Sequence, residues 1–188
     1  LAQMRAALEM AGAKIVPVSL PGAEIAHAHA TRMILADACA LHETALDRRR
    51  EDISDQVYER MIKGRAVTGV QYAQALRFRE RWRQMLAGLF RQVDVLLMPT
   101  TPAPSAPIED GAHLEDTTRH FTRFTYGGGL AGTPGLSLPC GFTSAGMPIG
   151  ALFEAPWWQE ARLFTIGAWW QASTDWHLRR APALIIGS

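Results

Sequence analysis

The chain has 188 residues, 48% of them apolar and 20% charged, with a formal net charge of +1. That composition fits a globular unit with a real core, and the near-neutral balance calls for neither nucleic acid nor an anionic membrane as a partner. Arginines far outnumber the two lysines, Lys14 and Lys63, but they are interspersed with acids, as in Arg48 to Asp52 and around Glu80, which reads as a salt-bridged surface. Cys39 and Cys140 stand far apart without metal-type spacing, so a disulfide framework is not expected and a reducing cytoplasm is. No apolar run approaches the roughly 18 residues that span a bilayer, and no signal-peptide pattern opens the chain. The sequence begins at Leu1 within a helical pattern, as a piece of a longer protein would.

In chain order, Met4, Ala7, Leu8 and Ala11 recur at helical spacing and Gly12 supplies a stop. Lys14 to Val18 reads as a short strand ended by Pro21-Gly22. An alanine-rich helix is expected over 23–49, and a second from Ile53 to Lys63, closed by Gly64. Thr68-x-x-Gln71 is a capping box, in which the threonine hydroxyl accepts a free N–H of the first turn. Trp82, Met85, Leu86, Leu89, Phe90 and Val93 then form one apolar stripe, with Arg79, Glu80, Arg83 and Arg91 off it. Asp94 to Met98 predicts a strand buried on both faces. From Pro99 to about Asp116 the prolines predict a loop, either a functional edge or a surface crossover. Thr117 or Thr118 is a candidate cap for a short helix ending at Gly127-Gly128-Gly129. Leu136–Leu138 and Pro148–Phe153 form a hairpin through Ser144-Ala145-Gly146. A last helix, Glu160 to Ala172, turns Leu163, Phe164, Gly167 and Trp170 inward.

Few residues carry chemistry by themselves. None of the serines lies in a G-x-S-x-G elbow and no two are adjacent. Cys140 before Gly141 is either a nucleophile or a buried thiol, and no polar partner is near it in sequence. His27 and His29 are two apart on a helix and point to different faces, so they do not form a metal pair. Tyr126 to Gly135 is glycine-rich but lacks phosphate-loop spacing. The tryptophan pairs 157–158 and 169–170 read as core and rim packing.

Two longer segments add a resemblance. Asp94 to Pro107, DVLLMPTTPAPSAP, resembles the strand and loop "D-x-L-L-x-P-T-x-P-x-x-A" of the amidase signature family. Leu130 to Pro156, LAGTPGLSLPCGFTSAGMPIGALFEAP, is similar to that family's "N-L-A-G-x-P-A-x-S-x-P-x-G" followed by "G-x-P-x-G-x-Q". Leu8 to Pro21, then Arg60, Gly64, Tyr72, Ala75 and Arg79, then Thr174 to His177 follow in the family's order. Departures are Gly129 for a frequent Asn, Leu152-Phe153 for Gln and an aliphatic residue, and Thr122 and Ala45 where glutamine-specific transamidosome subunits have an acid and a tyrosine. These favour a stand-alone amidase over the A subunit of a glutamyl-tRNA amidotransferase; a non-catalytic scaffold is a third alternative.

The resemblance implies an α/β fold, part of an α/β/α sandwich with a mixed sheet, with 1–188 as the C-terminal portion of one amidase domain. It implies hydrolysis of a small-molecule carboxylic amide by a serine, a second serine in a cis peptide and a lysine base, with no metal or organic cofactor. No Gly-Gly-Ser-Ser occurs in the chain, and Lys14 and Lys63 lie outside the matching context, so no catalytic residue is expected here. Candidate pocket residues are Arg60, Thr100 in the Pro99–Pro102 loop, and Thr125 and Gly129 in the glycine-rich segment. The implied protein partners are the N-terminal half of the same enzyme or a second copy.

Overall fold

Alternating side chains on three short strands supply two apolar faces, and helices cover both. The computed structural model describes residues 1–105 and 114–180; residues 106–113, part of the predicted proline-rich loop, lie outside the described residues. The elements are α1 Ala2–Met10, α2 Ala23–Leu41, α3 Glu43–Arg48, α4 Asp55–Ile62, α5 Gly69–Leu89, β1 Leu96–Pro99, α6 Leu114–Phe121, α7 Tyr126–Ala131, β2 Gly135–Phe142, β3 Pro148–Glu154 and α8 Glu160–Ser173. The strands lie in the order β1-β3-β2, and both pairings are antiparallel. The β2–β3 hairpin closes at Gly146 (φ 79°), with Thr143 N–H donating to Met147 O at 2.8 Å. The register shifts between Pro139 and Gly141, so Cys140 is an extra residue on β2.

One sheet face, with Leu97, Leu136, Leu138, Ala151 and Phe153, packs on Met4 of α1 and on Leu163 and Trp170 of α8. The other, with Leu96 and Met98, packs on Ala26 and Met33 of α2, on Phe78, Trp82 and Leu86 of α5, and on Leu130 of α7. β1 thus feeds both cores, and the layers form an α/β/α sandwich. Local signals set the helix ends that need no distant partner. Gly12 (φ 92°) ends α1, with Gly12 N–H on Glu9 O at 3.0 Å and Ala13 N–H on Leu8 O at 2.9 Å. Both bonds of the Thr68/Gln71 capping box form, at 3.2 and 2.9 Å, and open the 21-residue α5.

Several expectations are corrected. Lys14–Val18 is irregular: no described strand runs beside it to complete a ladder, and Val16 and Val18 are exposed. The helix predicted over 23–49 breaks at His42 (φ −104°, ψ 16°), because apolar periodicity does not register a one-residue change of axis. Gly64 does not stop α4 by a left-handed turn; it lies buried in a 3-10 turn, Lys63–Ala66, where α2 comes so close that a Cβ would collide with Leu35 O. Thr117 and Thr118 lie inside α6 rather than at its cap, and the glycine run forms the body of α7 instead of ending a helix. Phe164 is 66% exposed, while Leu163, Gly167 and Trp170 are buried as expected.

Candidate functional site

α7 is a six-residue helix, Tyr-Gly-Gly-Gly-Leu-Ala, and each glycine costs about 1 kcal/mol of helix propensity relative to alanine. Tertiary contacts hold it. Trp82 Nε1 donates to Gly127 O at 2.9 Å, while Arg83 Nη1 and Trp157 Nε1 donate to Ala131 O at 2.9 and 3.0 Å. Close approach is what requires glycine: a Cβ on Gly128 would collide with the Glu154 carboxyl, and one on Gly127 would come 3.1 Å from the Trp82 ring. Gly129 is exposed, and a Cβ there would meet nothing within 4 Å. Its N–H donates to Thr125 O at 3.1 Å, so these two predicted site residues share one turn.

Arg60 lies exposed on α4, and among the described residues it has no carboxylate partner; Asp55 pairs instead with Arg50. With Arg119 it acts on His27 of α2, whose pKa is pushed down by burial first, then by Arg119 and Arg60. The His27 ring lies 4.1 Å from the Tyr126 ring, and Nδ1 is 3.4 Å from Thr31 Oγ1. Arg60, Arg119 and His27 therefore gather beside the first turn of α7. His29 turns elsewhere, stacking on Phe78 at 4.3 Å. Among the described residues no cluster of His, Cys, Asp or Glu is arranged to hold a metal ion.

Thr100 belongs to a second locus. Just past β1, its N–H donates to Gly150 O at 3.0 Å and its Oγ1 lies 2.6 Å from Ser137 Oγ. The hydroxyl pair bridges the sheet above Gly150, where a Cβ would stand 2.6 Å from Thr100 Oγ1 and 3.0 Å from Ser137 Oγ. Residue 100 comes from the first motif segment and residues 137 and 150 from the second, and the sheet brings them together. A separate cleft of about 680 Å³ is lined by Leu1, Cys140, Gly141, Phe142, Trp176 and Arg179 among others, and by none of the four predicted site residues.

Sequence reasoning missed Ser137, His27 and Glu154 as site groups. Glu154 is 5% exposed, and burial pushes its carboxyl up to about 7, partly offset by a hydrogen bond with Thr133. Its signal was legible, a lone acid in the apolar run Ala151 to Ala155. Nothing local marked Ser137 or His27, whose partners lie 37 and 99 positions away respectively.

The family described as "Amidase" matches residues 1–164. An "Amidase" from Pseudomonas putida is 33% identical over 184 residues, 95% of this chain and 39% of the relative. The A subunit of a glutamyl-tRNA(Gln) amidotransferase from Azotobacter vinelandii is 39% identical over 117 residues, covering 59% of this chain and 23% of the relative. A solved structure, "Crystal structure of amidase", superposes with a TM-score of 0.80 at 29% identity, covering 92% of this chain and 40% of that one. The chain thus spans about two fifths of the length of relatives that match it nearly end to end. With its order of motifs, its layered fold and a match over residues 1–164, the chain belongs to the amidase family.

Proposed function

We propose that this chain is the C-terminal part of an amidase that hydrolyses a carboxylic amide to an acid and ammonia or an amine. The serine nucleophile, the cis serine and the lysine base implied by the family resemblance lie outside these residues. The observation that carries this reading is the 33% identity to the Pseudomonas putida amidase across 95% of the chain, without a Gly-Gly-Ser-Ser segment. In this reading α7, with Thr125 and Gly129, is one wall of the amide pocket, and Thr100 offers a hydroxyl at the sheet end. In the same reading Arg60, without a carboxylate partner among the described residues, receives an anionic substituent, for which the planar guanidinium fork is suited. The reading requires no metal or organic cofactor.

A second reading, the A subunit of a glutamyl-tRNA amidotransferase, is favoured by the 39% identity of the Azotobacter vinelandii relative. Thr122, a hydroxyl where such subunits resemble one another in having an acid, counts against it. The test is ammonia release from aliphatic and aromatic amides. The 188-residue chain alone is expected to match the buffer blank, and the chain joined to its N-terminal portion to release ammonia. In that longer protein Arg60→Met raises KM selectively for anionic amides. Release by the chain alone that a serine-directed fluorophosphonate blocks defeats the proposed division of labour. Equal KM changes for neutral and anionic amides defeat the role of Arg60.

A further inference from the structure

We propose that Arg83 and Trp157 are positioning residues of the amide-binding wall, acting through the backbone of α7; this rests on the reading of α7 given above. Residues 127–129 have no side chains, so what α7 offers a ligand depends on where its backbone sits. No rotamer change can correct a displaced backbone. The two ends of α7 are fixed by different means. At the start, Trp82 is 4% exposed and serves the core as well as Gly127 O.

At the other end, Ala131 O belongs to the last turn, where carbonyls lack helical donors, and it takes two. These donors arrive from separate elements: Arg83 from α5, and Trp157 from the turn after β3. They also touch each other, with the guanidinium carbon 5.0 Å from the Trp157 ring, and Phe90 meets that ring edge-on at 6.4 Å. The next residue, Trp158, has φ 65° and is 88% exposed. A left-handed tryptophan persists only where surrounding contacts over-determine the turn, and the contacts of Trp157 do so. Arg83 itself is an exposed residue off the apolar stripe, yet its guanidinium is directed at the backbone of the glycine helix.

The experiment compares Arg83→Met, Arg83→Lys and Trp157→Phe in the longer, active protein, with Arg91→Met, two residues past the end of α5, as the control. Steady-state kinetics are normalised to the fraction of sites titrated by a fluorophosphonate. Arg83→Met is expected to lower kcat/KM about tenfold, mostly through KM, with Tm within about 4 °C of wild type. Arg83→Lys recovers part of the loss, because it keeps a cationic donor. Trp157→Phe keeps the ring beneath Arg83 but loses the N–H, and lowers kcat/KM roughly threefold. Since both donors share one acceptor, the double variant Arg83→Met/Trp157→Phe departs from the product of the single effects. Unchanged kcat/KM in Arg83→Met, a loss that vanishes on normalisation, or fully independent effects overturns the proposal while leaving the amidase reading intact. A wild-type protein inert on every amide overturns both.

Discussion

Burial of the Glu154 carboxyl beneath α7 couples folding to pH. Its pKa is raised from 4.5 to about 7, chiefly by desolvation. Below pH 4.5 the group is neutral in both folded and unfolded chains, and its full contribution is present. As pH rises from there to about 7 the unfolded chain ionises first, so stability falls across that window and stays low above it. The span corresponds to a loss on the order of 3 kcal/mol. Glu154→Gln keeps the shape without the charge. It is expected to flatten the denaturation midpoint between pH 4.5 and 7, with near-equality at about pH 4 and the variant more stable at about pH 8. A variant whose midpoint tracks wild type at every pH shows that the carboxyl is not desolvated. The acid was visible in the sequence as an interruption of an apolar run. Its burial depended on Gly128, twenty-six positions earlier, which leaves room for it.

Among the elements, α5 and α2 show how propensity and packing divide the work. α5 starts at a capping box that lies within four residues, so its start was readable from local chemistry. The contact of α2 with residues 63–66 depends on Gly64, where a Cβ would collide with Leu35 O and stand 2.5 Å from Cys39 Cβ. Gly64→Ala is therefore expected to cost about 3 kcal/mol, although alanine is the better helix former. Gly69→Ala, in open space at the first residue of α5, is the control and is expected to stabilise by about 0.5–1 kcal/mol. Urea midpoints decide between them; a stabilising Gly64→Ala shows that α2 yields at this contact. α7 is the opposite case to α5. Its glycines read as a terminator, and only donors from Trp82, Arg83 and Trp157 make a helix there.

At the scale of the whole molecule, open sheet edges and exposed apolar side chains are the telling features. β1 and β2 each pair only with β3, so among the described residues both outer edges of the sheet are open. Open edges recruit further strands. Val16, Val18, Ile25 and Ile34 add exposed apolar surface. If a few hundred Å² of that surface is normally covered, the missing stabilisation is on the order of 5–10 kcal/mol at about 25 cal/mol per Å². That rivals the typical net stability of a domain, roughly 5–15 kcal/mol. The 188-residue chain by itself is expected to self-associate, to bind the N-terminal portion proposed for it, or to be partly molten. Light scattering with thermal unfolding checks this: a monomer at high micromolar concentration with a sharp transition and no dye binding rules it out.

By itself the sequence determined what local chemistry determines. It placed the capping box of α5, the glycine stop of α1, the β2–β3 hairpin and the doubly covered strand β1, because period and turn residues act within a few positions. Motif order marked the family, and with it Thr100, Thr125 and Gly129 as candidates. Only the tertiary structure decided that Lys14–Val18 lacks a ladder, that Thr100 pairs with Ser137, and that Arg60 acts on His27. The physical reason is the same in each case. Periodicity says which face of an element is buried, whereas a hydrogen-bond partner or a neighbouring charge depends on how distant elements stack. In α7 the stacking overrides local preference outright, since three side-chain donors and the space above Glu154 hold glycines in a helix they would not form unaided.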